Sequence, residues 1–486
     1  LLPCAIVLCL AAYLRGAEYD EQYTLFVTSG VPRPDWPATV FPAGLARDIQ
    51  AGHAGLAAIA HDLRVTDVHP PLYFWLVSLW RESFGPSLFV ARLLSVLLGL
   101  GALALVAAIA SAARVPPVLA MILTLGCYGF TYTSVVARGF ALAQLLLLGG
   151  VACSLVCRRV RVFALAGGLF GAATLTNYLS LFAAAACLLA GWLEVVRPSP
   201  GRSLSVIHGL AMLFGFLLFI PADLWWFLAQ KGTRSGQFPP FSLMHGLARL
   251  GVRFTGDILG GLPLYVPNPA ALILTVLLGL LLIWLVVRIA RRWRLIGIPN
   301  ARLMFALAAL APPLGLLVLG FVFNNTPIEV RYLTFSTPFV GLLLAGTLNV
   351  GDAAVLLAVQ AASIAGLMLA PQTMQPARAA AHAAAAVVQD GVVLLPRGND
   401  GVGVVGAFAT EAPADLPLLL IPGSATPGQI RLLIQSSHRV VLALLEQDDA
   451  SRAASEAMRR ALTDPAWREV AREPNLAVYE RIRDGE

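Results

Sequence analysis

Apolar residues run in long blocks through most of this chain, and short polar breaks rich in arginine separate the blocks. A helix needs roughly 20 apolar residues to cross a hydrocarbon core, and only a helix or a closed barrel satisfies its backbone groups there. By length and breaks, spans are expected near 1–15, 86–112, 116–134, 138–157, 162–178, 179–195, 205–228, 268–288, 302–323, 332–349 and 353–371. Eleven spans have odd parity. If the first enters from the cytoplasm, the inner connections hold Arg114, then Arg158, Arg159 and Arg161, then Arg197 and Arg202, then Arg288, Arg291, Arg292, Arg294 and Arg302. Each obeys the positive-inside rule. The stretch 69–84, HPPLYFWLVSLWRESF, imitates a further span. A crossing there would put Arg158, Arg159 and Arg161 outside, so we expect it at the outer interface, where Tyr73, Trp75 and Trp80 suit the headgroup region.

The connection between the first two spans, 16–85, is long. Within it Leu45, Ile49, Leu56, Ile59 and Leu63 share one stripe at helical spacing, which predicts an amphipathic helix lying on the membrane. A helix packed on protein is the other reading, and Gly52 and Gly55 weaken the run. After 371 the texture changes. An alanine-rich helical stretch leads into short β-like runs at Val392–Leu395, Gly403–Phe408, Leu418–Ile421 and Val440–Leu445, punctuated by Gly and Pro. This predicts a small soluble α/β domain over 372–486, which odd parity places outside, behind a transmembrane domain over 1–371.

Composition supports lipid as the main solvent: 58% of residues are hydrophobic and only 13% charged, against about a quarter charged in ordinary soluble domains. The net charge of +7 rests on arginine, with Lys231 the sole lysine. No basic run interleaves with aromatics, so the excess reads as topology and headgroup contact and not as nucleic-acid binding. The six cysteines, Cys4, Cys9, Cys127, Cys153, Cys157 and Cys187, lie in or beside apolar spans and pack as small hydrophobes. Cys153 and Cys157 are one helical turn apart, but no His or acid accompanies them as a metal site would need. The chain opens without Met, and only fourteen residues precede Arg15. We therefore expect a cytoplasmic start before Leu1, with a cleaved signal peptide as the rival.

Ionisable residues gather on the predicted outer side. Glu18, Asp20 and Glu21 follow the first span directly, where charge needs either a function or a solvated helix end. Asp67-Val68-His69-Pro70-Pro71 sets an acid and an imidazole on one face of an extended segment, because a residue before proline is pushed to β or polyproline geometry. The outer loop 229–267 carries Lys231, Arg234, Arg249 and Arg253 against Asp257 alone, an exception to the charge rule that points to an anion or to lipid headgroups. Arg138 opens the fourth span from the same side, and Glu329, Arg331 and Tyr332 stand at the outer end of the tenth. Scatter would have put about half of these groups inside.

In this order, the residues resemble the C-type (GT-C) integral-membrane glycosyltransferases, in the branch of protein O-mannosyltransferases, lipid A aminoarabinose transferases and lipopolysaccharide-core galacturonosyltransferases. Asp20-Glu21 is similar to the acidic pair of their first outer loop. Asp67 to Tyr73 is similar to their Asp-x-His-Pro-Pro-Leu segment, and Gly85 to Arg92 to the opening of their second span. Ala137-Arg138-Gly139-Phe140-Ala141-Leu142 resembles Ala-Arg-x-Tyr-x-Leu, with Phe140 where Tyr is usual. Thr176-Asn177-Tyr178 stands where many members have Thr-His-Tyr, and Arg331-Tyr332 matches a late Arg-Tyr. The resemblance covers about residues 15–350.

It implies a GT-C helix bundle and inverting transfer of a sugar from a polyprenyl-phosphate carrier, in a bacterial inner membrane with the site and C-terminal domain periplasmic. Asp20 is expected as the main carboxylate, with Glu21 beside it. Asp67, His69, Arg138, Tyr178, Lys231, Arg234, Arg331 and Tyr332 are expected to bind substrate, the cations stabilising the phosphate as it leaves. Phe140 and Asn177 depart from the pattern in ways that touch sugar recognition. No obligatory metal or other cofactor is expected, although some relatives bind a divalent ion. The expected acceptor is a cell-envelope glycolipid, lipid A or lipopolysaccharide core, with protein as the alternative. A lipid flippase or transporter fits less well, since transporters place ionisable groups at mid-membrane, often in matching halves.

Overall fold

The computed structural model describes residues 1–196, 204–230, 239–369, 376–398 and 400–482. The chain divides into two compact units. One comprises Leu1–Leu14, Leu63–Leu76 and Ala91–Ala370, and the other Arg15–Asp62, Val77–Val90 and Pro371–Glu486.

In chain order the helices begin with α1 (Leu2–Leu14), α2 (Tyr19–Ser29), α3 (Gly44–Gln50), α4 (Leu56–Thr66), α5 (Leu72–Phe84) and α6 (Leu88–Ala112). Next come α7 (Pro117–Gly126), α8 (Tyr128–Ser134), α9 (Phe140–Val156), α10 (Val160–Thr174), α11 (Ser180–Val196), α12 (Val206–Leu217) and α13 (Ile220–Ala229). The helical core ends with α14 (Leu243–Leu259), α15 (Ala270–Arg291), α16 (Pro299–Phe323), α17 (Val330–Leu333), α18 (Thr337–Ala345) and α19 (Val350–Leu369). Every expected span falls on a helix or a broken pair of helices. Among the described residues, five are long and apolar enough alone to cross a membrane: α6, α12 joined with α13, α15, α16 and α19. The rest are shorter or broken, as at Cys127 between α7 and α8, where ψ is 120°.

The first unit buries alanine, phenylalanine and many aliphatic residues between its helices, and leaves further aliphatic residues on the outside. In α15 only Leu278 and Leu285 are buried, while Leu272, Ile273, Val276 and Ile283 are exposed, a surface suited to lipid and not to water. Glycine sets the closest approach. A Cβ on Gly167 would lie 1.8 Å from the Met212 carbonyl oxygen, and one on Gly215 would lie 2.0 Å from that of Ala164. α10 and α12 therefore meet backbone to backbone, the usual way membrane helices gain contact where no hydrophobic force separates helix from lipid.

The second unit is built on a six-stranded sheet of β1 (Phe41–Pro42), β2 (Val392–Pro396), β3 (Pro417–Ile421), β4 (Arg439–Ala443), β5 (Trp467–Glu473) and β6 (Leu476–Arg481), in the order β1-β3-β2-β4-β6-β5. β3, β2 and β4 are parallel, and β1, β6 and β5 run antiparallel to their neighbours. Helices α20 (Ala377–Val387), α21 (Gly403–Glu411), α22 (Pro427–Leu433) and α23 (Asp449–Leu462) complete it. Alternate residues of each central strand feed two cores. Val393, Leu395, Leu418 and Leu420 pack with α20 and α21, and Leu394, Leu419 and Ile421 with α22 and α23. A strand buried on both faces reads as a continuous apolar run, which is why β2, β3 and β4 were visible in the sequence.

Three expectations need correction. Gly403–Phe408 is helical and not a strand: nearly every side chain of α21 is buried, so it shows neither period, and short apolar runs of this kind are ambiguous. The stripe from Leu45 to Leu63 forms two helices, not one. Gly52 lies at the break, and a Cβ on it would sit 2.7 Å from the Ser29 carbonyl oxygen. Leu45 and Ile49 pack against the core shared by α20 and α21, so the reading of a helix packed on protein describes α3. Finally, 15–62 and 77–90 group with the C-terminal residues and not with the spans, because β1 extends the sheet and Trp36 and Phe41 enter its core.

Candidate active site

The first unit collects its polar groups at the turn before α5 and the corner before α9. Asp67 is almost wholly buried, and His69 Nδ1 lies 2.7 Å from its Oδ1. The Arg138 guanidinium, also buried, is 3.4 Å from Asp67 Oδ2 and 3.3 Å from His69 Nδ1. With a carboxylate and a guanidinium both near Nδ1, the favourable arrangement has Nδ1–H donating to Asp67, which leaves Nε2 as the basic nitrogen. Burial pushes the Asp67 carboxyl up, but Arg138 and His69 outweigh it and hold the group well below the usual carboxylate range. Phe74 flanks the cluster, its ring centre 5.6 Å from the Arg138 guanidinium carbon.

Gly139 makes this corner possible. A Cβ there would lie 3.0 Å from the Thr176 carbonyl oxygen and 3.3 Å from Tyr73 Cβ. Beside it, Asn177 Oδ1 accepts the Leu179 N–H at 3.0 Å and shapes the turn into α11. The Tyr178 hydroxyl donates to Gln230 Oε1 at 3.1 Å. Fully buried Gln230 in turn donates from Nε2 to the carbonyls of Leu63 and His69, each at 2.9 Å. One amide thus joins Tyr178 to the Asp67–His69 turn. Gln230 was not among the expected residues, and a lone glutamine at the end of an apolar run carries no spacing signal.

Arg331 and Tyr332 stand on α17, the guanidinium carbon 5.2 Å from the Tyr332 ring centre. Behind that turn Thr334 Oγ1 meets Thr133 Oγ1 at 2.9 Å and donates to the Gly129 carbonyl at 3.2 Å, anchoring it on α8. The excess charge of loop 229–267 is partly neutralised: Arg249 pairs with Glu329, and Arg253 reaches the same carboxylate at 3.5 Å. Lys231 and Arg234 lie outside the described residues.

Asp20 and Glu21 belong to the second unit, in the first turn of α2. Buried Glu21 accepts the Glu18 backbone N–H at 2.9 Å and so closes a capping box. This structural task sets it apart from Asp20, which is only half-buried. Buried Arg15 pairs with Glu18, and Tyr19 and Tyr23 both donate to Asp400. Among the described residues, no three His, Cys, Asp or Glu side chains converge as a metal site would.

No family model matches the sequence, and no curated protein does either. Solved structures do. The crystal structure of ArnT from Cupriavidus metallidurans bound to undecaprenyl phosphate aligns with 99% of this chain and 97% of its own, at 12% identity and a TM-score of 0.53. The apo oligosaccharyltransferase of Archaeoglobus fulgidus aligns with 90% of this chain and 69% of its own at 12% identity, with a TM-score of 0.38, too low to carry an argument. Over nearly its whole length, then, this multi-pass membrane chain has the GT-C fold of ArnT.

Proposed function

We propose that the chain is an inverting glycosyltransferase that moves a sugar from a polyprenyl-phosphate carrier to a cell-envelope glycolipid, of lipid A or lipopolysaccharide-core type, on the periplasmic face. The observation that carries this reading is the buried Asp67–His69–Arg138 cluster on a fold shared with a protein crystallised with undecaprenyl phosphate. Asp20, at the first turn of α2, takes the proton of the acceptor hydroxyl. The acceptor oxygen then bonds to the anomeric carbon from the face opposite the phosphate, and the bond from that carbon to the phosphate oxygen breaks with its electron pair. Polyprenyl phosphate leaves as a stable anion, so a strong general acid is unnecessary.

The other residues position and stabilise. Arg138, with Arg331, Lys231 and Arg234, supplies cations for the leaving phosphate. His69, with its tautomer set by Asp67, presents Nε2 to a sugar hydroxyl or to phosphate. Tyr178 and Gln230 keep that turn in register. Glu21 supports the helix that carries Asp20 and takes no proton.

The test is turnover in proteoliposomes with radiolabelled polyprenyl-phosphate sugars and envelope lipids, comparing wild type with Asp20→Asn. Label entering lipid from one donor, and lost in the variant, supports the proposal. Label entering protein would redirect the acceptor. Transfer from no donor would overturn it in favour of binding or transport.

A further inference from the structure

The sheet of the second unit changes direction at β2. The chain leaves β2 into α21 on one face, and leaves its parallel neighbour β3 into α22 on the other. Two adjacent strands whose outgoing connections part in this way leave a crevice outside their carboxyl ends, the place where open α/β sheets take ligands. A cavity of about 500 Å³ lies there, lined by Trp36, Arg397, Ile421, Ser424, Gln429 and Leu433 among others. Arg397 directly follows β2, and Ile421 ends β3.

Its walls differ in chemistry. Trp36 is fixed: its indole N–H donates to the Gly401 carbonyl at 2.6 Å, and its ring stacks on Phe41 with centroids 5.6 Å apart. Gln429 Oε1 accepts the Thr426 N–H at 2.9 Å within a helix cap, which leaves its amide N–H groups to donate. The Arg397 guanidinium has neither ion pair nor hydrogen bond among the described residues. Half-buried in a partly apolar pocket, it is a charge that a ligand anion would complete.

We propose that this crevice binds a sugar unit bearing one acidic group, its carboxylate or phosphate on Arg397, its hydroxyls on Ser424 and Gln429, and its ring against Trp36. The volume suits one or two pyranose rings, and a lone cation suits a monoanion better than a nucleotide diphosphate, which would call for several donors. A role in holding the acceptor glycan rests on the glycosyltransferase reading, but binding itself does not.

Isothermal titration of the full-length chain in detergent with glucuronate, glucose and inorganic phosphate tests the site without turnover. Wild type is expected to bind glucuronate about tenfold or more tighter than glucose, as a charged hydrogen bond implies, and tighter than phosphate alone. Arg397→Gln should erase that preference, and Ser424→Trp, an exposed position whose indole would fill the cavity, should remove saturable binding. Far-ultraviolet melts confirm that both variants fold. No saturable binding of glucuronate, equal affinity for phosphate, or an undiminished preference in Arg397→Gln would overturn the proposal. Binding by a chain that transfers no sugar would sustain this site while the glycosyltransferase reading fails.

Discussion

Asp67 and His69, two residues apart in an extended turn, meet at 2.7 Å between carboxylate and imidazole, and Arg138 closes the pair from a corner seventy positions later. Asp67→Asn keeps the shape but leaves the Arg138 charge buried opposite a neutral amide. Breaking such a pair costs about 3 kcal/mol, so the melting temperature in detergent should fall clearly. The pH dependence follows from the lowered folded pKa of Asp67. The unfolded chain binds the proton more readily, so the wild-type advantage is full above the unfolded value near 4 and shrinks as pH falls below it. An equal gap between wild type and variant at pH 7 and pH 3 would refute this account.

Asp20 and Glu21 are neighbours with separable tasks. Asp20→Asn should lower kcat by roughly 10² to 10⁴ while leaving the melting temperature unchanged, as loss of a general base does. Glu21→Gln can still accept the Glu18 N–H and should retain most activity, and Glu21→Ala should lose about 1 kcal/mol of stability with its cap. The reverse pattern, an inactive but stable Glu21→Gln, would transfer the base role to Glu21.

Gln230 touches no reacting atom in this scheme. Gln230→Ala releases both the Tyr178 hydroxyl and the carbonyls of Leu63 and His69. Because it acts through His69, the expected signature is a shifted pH profile of kcat/KM along with a drop of about tenfold. Gln230→Glu keeps the acceptor for Tyr178 only and should not restore the profile. A variant with lower stability but a wild-type pH profile would reduce Gln230 to a purely structural residue.

On α14, between the expected seventh and eighth spans, Asp257 is fully buried, and neither carboxylate oxygen has a hydrogen-bond partner among the described residues. Burial pushes its carboxyl well above the usual range, so the folded chain holds the proton that the unfolded chain releases. Its stability contribution is therefore present below about pH 4 and declines as pH rises towards the folded value. Asp257→Asn keeps the neutral form at every pH and should raise the melting temperature at pH 8 more than at pH 4. Equal shifts at both would show a charge-compensated carboxylate instead.

Gly215 faces the Ala164 carbonyl oxygen across the α10–α12 contact, whereas a Cβ on Gly279 in α15 would meet nothing within 4 Å. Gly215→Val should destabilise by about 1–3 kcal/mol or more through overpacking. Gly279→Ala should be neutral or stabilising, since alanine loses less backbone freedom in a helix. Comparable losses in both would mean that helix propensity, not close approach, sets the cost.

Much of this architecture was legible because lipid imposes a one-dimensional rule. Apolar length and arginine breaks located the helical segments, since each must satisfy its own backbone, and strands β2, β3 and β4 announced themselves as doubly buried apolar runs. The Asp67–His69 pair was also local, two residues across a proline-directed turn. Other features depended on contacts that no spacing encodes. α21 is helical because Gly403 and Gly406 let it close on Tyr19 and Gln22, a choice made by packing and not by its own ambiguous pattern. The stripe from Leu45 to Leu63 broke at Gly52, where another backbone carbonyl takes the space of a side chain. Gln230 joined Tyr178 to His69 from 52 and 161 positions away. Local sequence determined which segments would be helix or strand wherever burial had a single periodic form. Tertiary structure alone decided which distant polar groups would meet, because a hydrogen bond between residues far apart in the chain leaves no period in it.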